Sequence, residues 1–240
     1  MAAEPSDKPA SRGPWLRLAL LALFIGVVVA FFALGGQHYL TLDTIKSNRD
    51  ALLRFTEAHF VAALAIAFFL YAGAVAFSLP GALILSLAMG FVFGRWVGTV
   101  LVVAAATTGA TIVFLAARYI FADAARKRLG TLGEKINAGF TENAFNYMLF
   151  LRLVPAFPFF LVNLAPAFTS IPLKTFVLAT FIGIIPGTFV FVNLGETLGR
   201  IDSLQGLVSV ETLGAFALLG VLALVPVVVK KMKSKRAQNP

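Results

Sequence analysis

Residues 58–94 read AHFVAALAIAFFLYAGAVAFSLPGALILSLAMGFVFG, thirty-seven positions without an acid, a lysine or an arginine. A helix needs ~20 apolar residues to cross ~30 Å of hydrocarbon, so this stretch is too long for one straight crossing. Its middle is interrupted by Ser78-Leu79-Pro80-Gly81. Proline removes a helical hydrogen bond and glycine permits a turn, so the spacing predicts two helical arms joined at membrane depth. Two complete crossings joined by a short turn are the alternative, and charge does not separate the two.

The rest of the chain follows the same pattern. Of 240 residues, 59% are hydrophobic and 13% charged, whereas a soluble globule is about one quarter charged. No charge falls between Arg95 and Arg118, and Lys174 is the only one between Arg152 and Glu196. The chain reads as an all-α, polytopic integral membrane protein. It has no cysteine, and its two histidines both lie in segment 35–59. Disulfides and thiolate chemistry are therefore excluded, and neither a metal site nor a cofactor is expected. The net charge of +9 does not indicate nucleic acid, because the bases flank apolar spans. They read as topology signals and contacts to anionic headgroups.

Working outward, residues 1–17 form a polar tail and 18–34 an uncleaved first transmembrane helix, too long for the apolar region of a signal peptide. Segment 35–57 mixes Ile45, Leu52 and Phe55 with Lys46, Arg49, Asp50, Arg54 and Glu57, a pattern for a helix in the headgroup plane. After the hairpin 58–95 comes a Gly- and Ala-rich span, 97–117. Loop 118–146 is cytoplasmic and amphipathic, with a stripe of Leu129, Leu132, Ile136 and Phe140. Stretch 147–170 carries Pro155, Pro158 and Pro166, too many for a straight span, and predicts a second re-entrant hairpin. A span at 173–195 kinks at Pro186-Gly187, a last span covers 212–229, and 230–240 is a basic cytoplasmic tail.

With the amino terminus inside and each hairpin returning to its entry side, fourteen bases fall on the cytoplasmic side against five opposite. Both termini are then cytoplasmic, in the cell membrane. The two hairpins dip from opposite faces, which makes an inverted repeat. A shift of 78 residues brings Pro80 onto Pro158 and Gly109 onto Gly187.

Two stretches carry candidate chemistry. In the first, Pro80-Gly81, Gly90, Gly94, Gly98 and Gly109 permit close helix packing, or else half of a substrate cavity. In the second, Leu151-Arg152-Leu153-Val154-Pro155-Ala156-Phe157-Pro158 is followed by Asn163. An arginine at the helix centre costs ~2.5–3.5 kcal/mol on insertion scales, so Arg152 must snorkel or face a partner, water or an anionic ligand. Arg152 is the principal candidate for substrate binding. Asn163 is either a helix cap or an auxiliary donor. Arg95 and Arg118 read as interfacial anchors, and Trp15 and Trp96 as belt residues. No carboxylate lies between Glu57 and Asp123 or between Glu142 and Glu196, so an acidic proton relay has no support. Phosphate-loop, metalloprotease and hydrolase signatures are absent, and an enzyme is not expected.

In combination and order, these motifs resemble the DedA superfamily, in the branch of SNARE-associated Golgi-type proteins that carry a VTT domain. The resemblance covers roughly 58–200: Pro80 with Gly90-Phe91-Val92-Phe93-Gly94, Gly109-Ala110 with Phe114 and Arg118, the block around Arg152 with Asn163, and Thr180 through Gly187. It implies an all-helical fold with two opposed re-entrant hairpins and a role in lipid scrambling or lipid-carrier transport. Members of the DedA type proper carry a second arginine where this chain has Pro158, and embedded acids that it lacks. The function expected is transport of phospholipid or a related amphiphile between leaflets. The partners expected are membrane lipids, anionic phospholipid among them, and a second copy of the chain as homo-oligomer. A non-transporting scaffold acting through loop 119–146, or a small-ion or metal-ion permease, would be the alternatives.

Overall fold

The computed structural model describes residues 13–39, 41–128, 144–153 and 158–200, with no strand among them. The stripe at 129–140, Pro155 and the span at 212–229 lie outside the described residues. Beyond Arg17, helix α1 (Gly13–Ala33) is apolar all round. It buries none of its span window and turns Leu18, Leu23, Ile25 and Val29 outward, as a helix in lipid does. Segment 35–57 resolves into three short helices, α2 (Gly36–Tyr39), α3 (Leu42–Ser47) and α4 (Arg49–Ala58). The Thr41 hydroxyl caps α3 by accepting the Thr44 N–H at 3.2 Å.

At His59 the chain bends by 119° into α5 (Phe60–Ala76). Helix α5 ends because the N–H of Leu79 returns to the Ala74 carbonyl at 2.8 Å and that of Ser78 to Val75 at 2.9 Å. This Schellman cap holds Ser78 at φ 53°, and Pro80 then cannot continue the helix. Gly81, at φ 111°, starts the chain on its return.

Helix α6 (Ala82–Arg128) is two helical limbs joined at Gly94, whose backbone is not helical. Nine helical residues advance ~13 Å, yet a Cβ on Gly98 would stand 2.9 Å from the Met89 carbonyl oxygen. The chain reverses at Gly94, whose φ of 73° is open to glycine. The first limb, 82–93, runs back along α5, with Phe60 against Phe93 at 6.3 Å and Tyr71 against Ser86. The second limb runs parallel to α5, where Gly109 meets the Ala72 carbonyl. The limb 82–93 is ~18 Å long and too short to cross, whereas 95–120 reaches ~39 Å and is long enough.

Helices α7 (144–153) and α8 (Phe159–Leu164), with the 3₁₀ turn Ala165–Phe168, lead into α9 (Leu173–Arg200). Helix α9 packs antiparallel to the second limb of α6. Phe114 stacks on Phe176 with ring centroids 4.2 Å apart, and Trp96 lies 5.6 Å from Phe189. By length and composition, three helices among the described residues can cross a membrane, or four if α4 and α5 count as one bent span.

Charged residues mark the two ends of the bundle. Arg17 lies over the Tyr119 ring at 5.3 Å, which puts the start of α1 level with Arg118 and, through Ile171, with Lys174. At the other end, Arg95 meets Glu196, and Lys46 shares a small pocket with Leu198.

Candidate functional site: a mid-depth cavity beside Arg152

The two broken stretches of chain end at the same place. Ala82, which opens the first limb of α6, and Phe159, which opens α8, both line a cavity of about 220 Å³. Tyr71, Ser86, Ala106, Ile184, Gly187 and Thr188 complete much of its wall. Ala106 is eleven residues from Arg95 and twelve from Arg118, or ~17 and ~18 Å along the helix. The cavity therefore sits halfway along the limb. Pro80 and Pro158, related by the 78-residue shift, each stand just before one of the two helix starts, and Pro158 caps α8. Gly109 and Gly187 differ: the first packs tightly on α5, and the second has open space where a Cβ would stand.

The hydroxyls of Tyr71 and Ser86 at the cavity are occupied. The Ser86 hydroxyl donates to the Ala82 carbonyl at 2.9 Å and lies 3.0 Å from the Tyr71 hydroxyl. Tyr71 is almost fully buried. The wall that remains is largely carbon.

Arg152 stands behind that wall. Its Nη2 donates to the Thr180 hydroxyl at 2.9 Å, while its Nε and Nη1 are buried with no hydrogen-bond partner. The guanidinium carbon lies 5.4 Å from the Phe159 ring centre and 5.5 Å from that of Phe176. Gly183 makes room for the side chain, since a Cβ there would fall 2.6 Å from Arg152 Cβ. Buried donors left unmade cost ~1–3 kcal/mol, and more when charged. An arginine held in this state is suited to an oxyanion.

Asn163 is 1% exposed, and neither amide atom has a hydrogen-bond partner. It occupies the last turn of α8 and does not cap that helix's start, which belongs to Pro158. Arg95 is not a free anchor. Its Nε and its backbone N–H both donate to Glu196 at 2.8 Å. Arg118 is likewise folded inward, with Nη2 donating to the carbonyls of Thr169 and Ile171 at 2.9 and 2.8 Å, over the Phe114 ring. Trp15 and Trp96 are exposed. Among the described residues no group of three His, Asp or Glu could hold a metal.

Sequence reasoning missed Glu196, Tyr71 and Ser86, and named Thr180 only as the start of a motif block, not as a partner of Arg152. Glu196 carried a signal as the first acid after a long apolar run, just as Arg95 is the first base after one. Ser86 and Thr180 gave no sign of their partners, because serine and threonine in apolar helices ordinarily bond to their own backbone.

Comparison with known proteins identifies the family. The VTT domain matches residues 79–197, a range that includes both helix starts, Arg152 and Glu196. A transmembrane protein 41 homolog of Dictyostelium discoideum is 31% identical over 191 residues, covering 78% of this chain and 57% of the relative. An Arabidopsis thaliana membrane protein is 33% identical over 164 residues, covering 65% of this chain and 56% of the relative. Human transmembrane protein 41B is 27% identical over 198 residues, covering 81% and 68%. The chain thus spans somewhat over half the length of the first two. No solved structure matches. The chain belongs to the VTT-domain family, in the SNARE-associated Golgi protein branch of the DedA superfamily.

Proposed function

We propose that this VTT-domain protein moves phospholipid, or an amphiphile of the same build, between membrane leaflets without converting it chemically. The observation that supports this is the convergence of Ala82 and Phe159 on one cavity level with Ala106. A headgroup crossing hydrocarbon loses its water. Helix ends and irregular backbone, which survive at that depth only beside protein or a wet cavity, can replace part of it. Arg152 is the phosphate contact and Asn163 the auxiliary donor. On this reading the arms around Ser78–Gly81 and around Pro158 are re-entrant hairpins. Both ends of the chain are cytoplasmic in the cell membrane, where the bases near Arg17, Arg118 and Lys174 meet anionic phospholipid.

The test is reconstitution into liposomes containing a fluorescent phosphatidylcholine, with outer-leaflet fluorescence quenched by dithionite. Wild-type protein moves label out of the protected leaflet faster than empty vesicles do, and Arg152→Ala slows this by ~10-fold, as expected for a lost charge-assisted contact. Rates equal to empty vesicles, in protein that elutes as a single folded species, would sink the proposal. A full rate in Arg152→Ala would remove the role given to that residue.

A further inference from the structure

We propose that Phe159 is the positioning residue that decides when a lipid phosphate reaches Arg152. This deepens the lipid-transport reading and rests on it. The cavity as it stands is a poor host for a charged headgroup, because no charged side chain lines it and the hydroxyls of Tyr71 and Ser86 are engaged with each other and with the Ala82 carbonyl. The group suited to phosphate, the Arg152 guanidinium, has two nitrogens without partners but does not line the cavity. One ring stands between them: Phe159 lines the cavity on one side and lies against the guanidinium on the other.

The two aromatic neighbours of Arg152 are not equivalent. Phe176 is fully buried and stacked on Phe114, so it cannot move without disrupting the core. Phe159 is 37% exposed and sits at the first position of a six-residue helix. Half-exposed side chains change rotamer readily, so Phe159 is the side that can yield. Its displacement joins the cavity to Arg152 without moving a helix. Thr180 meanwhile keeps hold of Nη2, leaving Nε and Nη1 for the ligand. The ligand class this selects is an amphiphile with a phosphate next to its glycerol or equivalent backbone. Arg152 reads the oxyanion, and the carbon wall accepts the atoms beside it.

The test reads the accessibility of Arg152 directly, whether or not lipid is transported. Full-length protein in dodecyl maltoside is treated with the arginine reagent phenylglyoxal, and modification at Arg152 is followed by peptide mass spectrometry, with Arg49 as internal reference. Wild-type Arg152 reacts slowly. Phe159→Ala accelerates it by ~5-fold or more and Phe159→Trp slows it, as expected if the ring sets the open population. In Phe159→Ala, dihexanoyl phosphatidic acid protects Arg152 at concentrations where inorganic phosphate does not. Equal rates in the three proteins overturn the proposal. Equal protection by inorganic phosphate overturns its lipid part and makes the ligand a free oxyanion. If labelling follows Phe159 but vesicles show no lipid movement, the transport reading fails and the shutter stands. If vesicles show Arg152-dependent movement while labelling ignores Phe159, only the shutter fails.

Discussion

The Glu196 carboxylate holds Arg95 twice, accepting its backbone N–H and its Nε–H, each at 2.8 Å. The two residues are 101 positions apart, and Arg95 immediately follows the reversal at Gly94. One carboxylate thus satisfies an orphan N–H at the start of the second limb and ties that limb to the end of α9.

Removing the carboxylate should therefore cost more than removing the guanidinium. Glu196→Ala loses both bonds and leaves a partly buried arginine unpaired, for a loss of about 2–3 kcal/mol. Arg95→Lys keeps the backbone bond and should cost about 1 kcal/mol. Thermal unfolding in detergent ranks the pair. A milder effect for Glu196→Ala than for Arg95→Lys would show that the contact is a surface one.

The packing of α9 on the first limb leaves no room for a side chain at two points. A Cβ on Gly90 would collide with the Val192 carbonyl, and one on Gly195 with that of Leu87. Both contacts are to backbone, which cannot step aside. Gly90→Ala and Gly195→Ala should each cost about 3 kcal/mol or more, by analogy with overpacked cores. Gly73, within α5, has nothing within 4 Å of a Cβ, and Gly73→Ala should be neutral or stabilise by up to about 1 kcal/mol. Ser78→Gly relieves a left-handed residue at the end of α5 and should stabilise by about 0.5–1 kcal/mol. Equal melting temperatures for Gly90→Ala and Gly73→Ala would contradict this packing.

The break between α5 and α6 was legible because proline and glycine in an apolar run leave few helical options, and Pro80-Gly81 is such a pair. Arg95 and Arg118 were visible as boundary charges, but a sequence shows where a base lies along a span and not which way it folds. Their inward turns depend on Glu196 and on the carbonyls after α8, both far away in sequence. Arg152 stood out because a base inside an apolar stretch is costly. Phe159 did not, since in a chain with 24 phenylalanines one more ring carries no signal until its neighbours are known.

Arg152 offers a test of whether a residue is kept for stability or for use. Its one side-chain hydrogen bond, to Thr180, leaves two buried nitrogens unmatched. If its role is structural, Arg152→Met should destabilise the protein. If it is held for a ligand, the apolar replacement removes an uncompensated buried charge and should leave stability equal or raise it by about 1–2 kcal/mol, while lipid movement is lost. Melting temperature and the vesicle assay, run on the same preparation, separate the two. A destabilised variant would assign Arg152 to the core.

The depth of the turn at Ser78 distinguishes a re-entrant arm from a full crossing. Gly109 packs against Ala72 and Val75, just before that turn, and the second limb continues nine residues to Arg118, ~13 Å further. Ser78 lies three residues, ~4 Å, beyond Val75, so the loop stops ~9 Å short of the boundary and does not emerge on the far side. The chain has no native cysteine, so single cysteines report position without background. In sealed vesicles, Ser47→Cys and Lys174→Cys should react with a membrane-impermeant maleimide from opposite faces, since Lys46 lies at the Glu196 end and Lys174 near Arg118. Ser78→Cys should react far more slowly than either, from whichever face the reagent is added. Rapid labelling of Ser78→Cys from the Lys174 face would make α5 and the first limb two complete crossings. The cavity at Ala82 would then open to water on that face, and the protein would lose its mid-depth site.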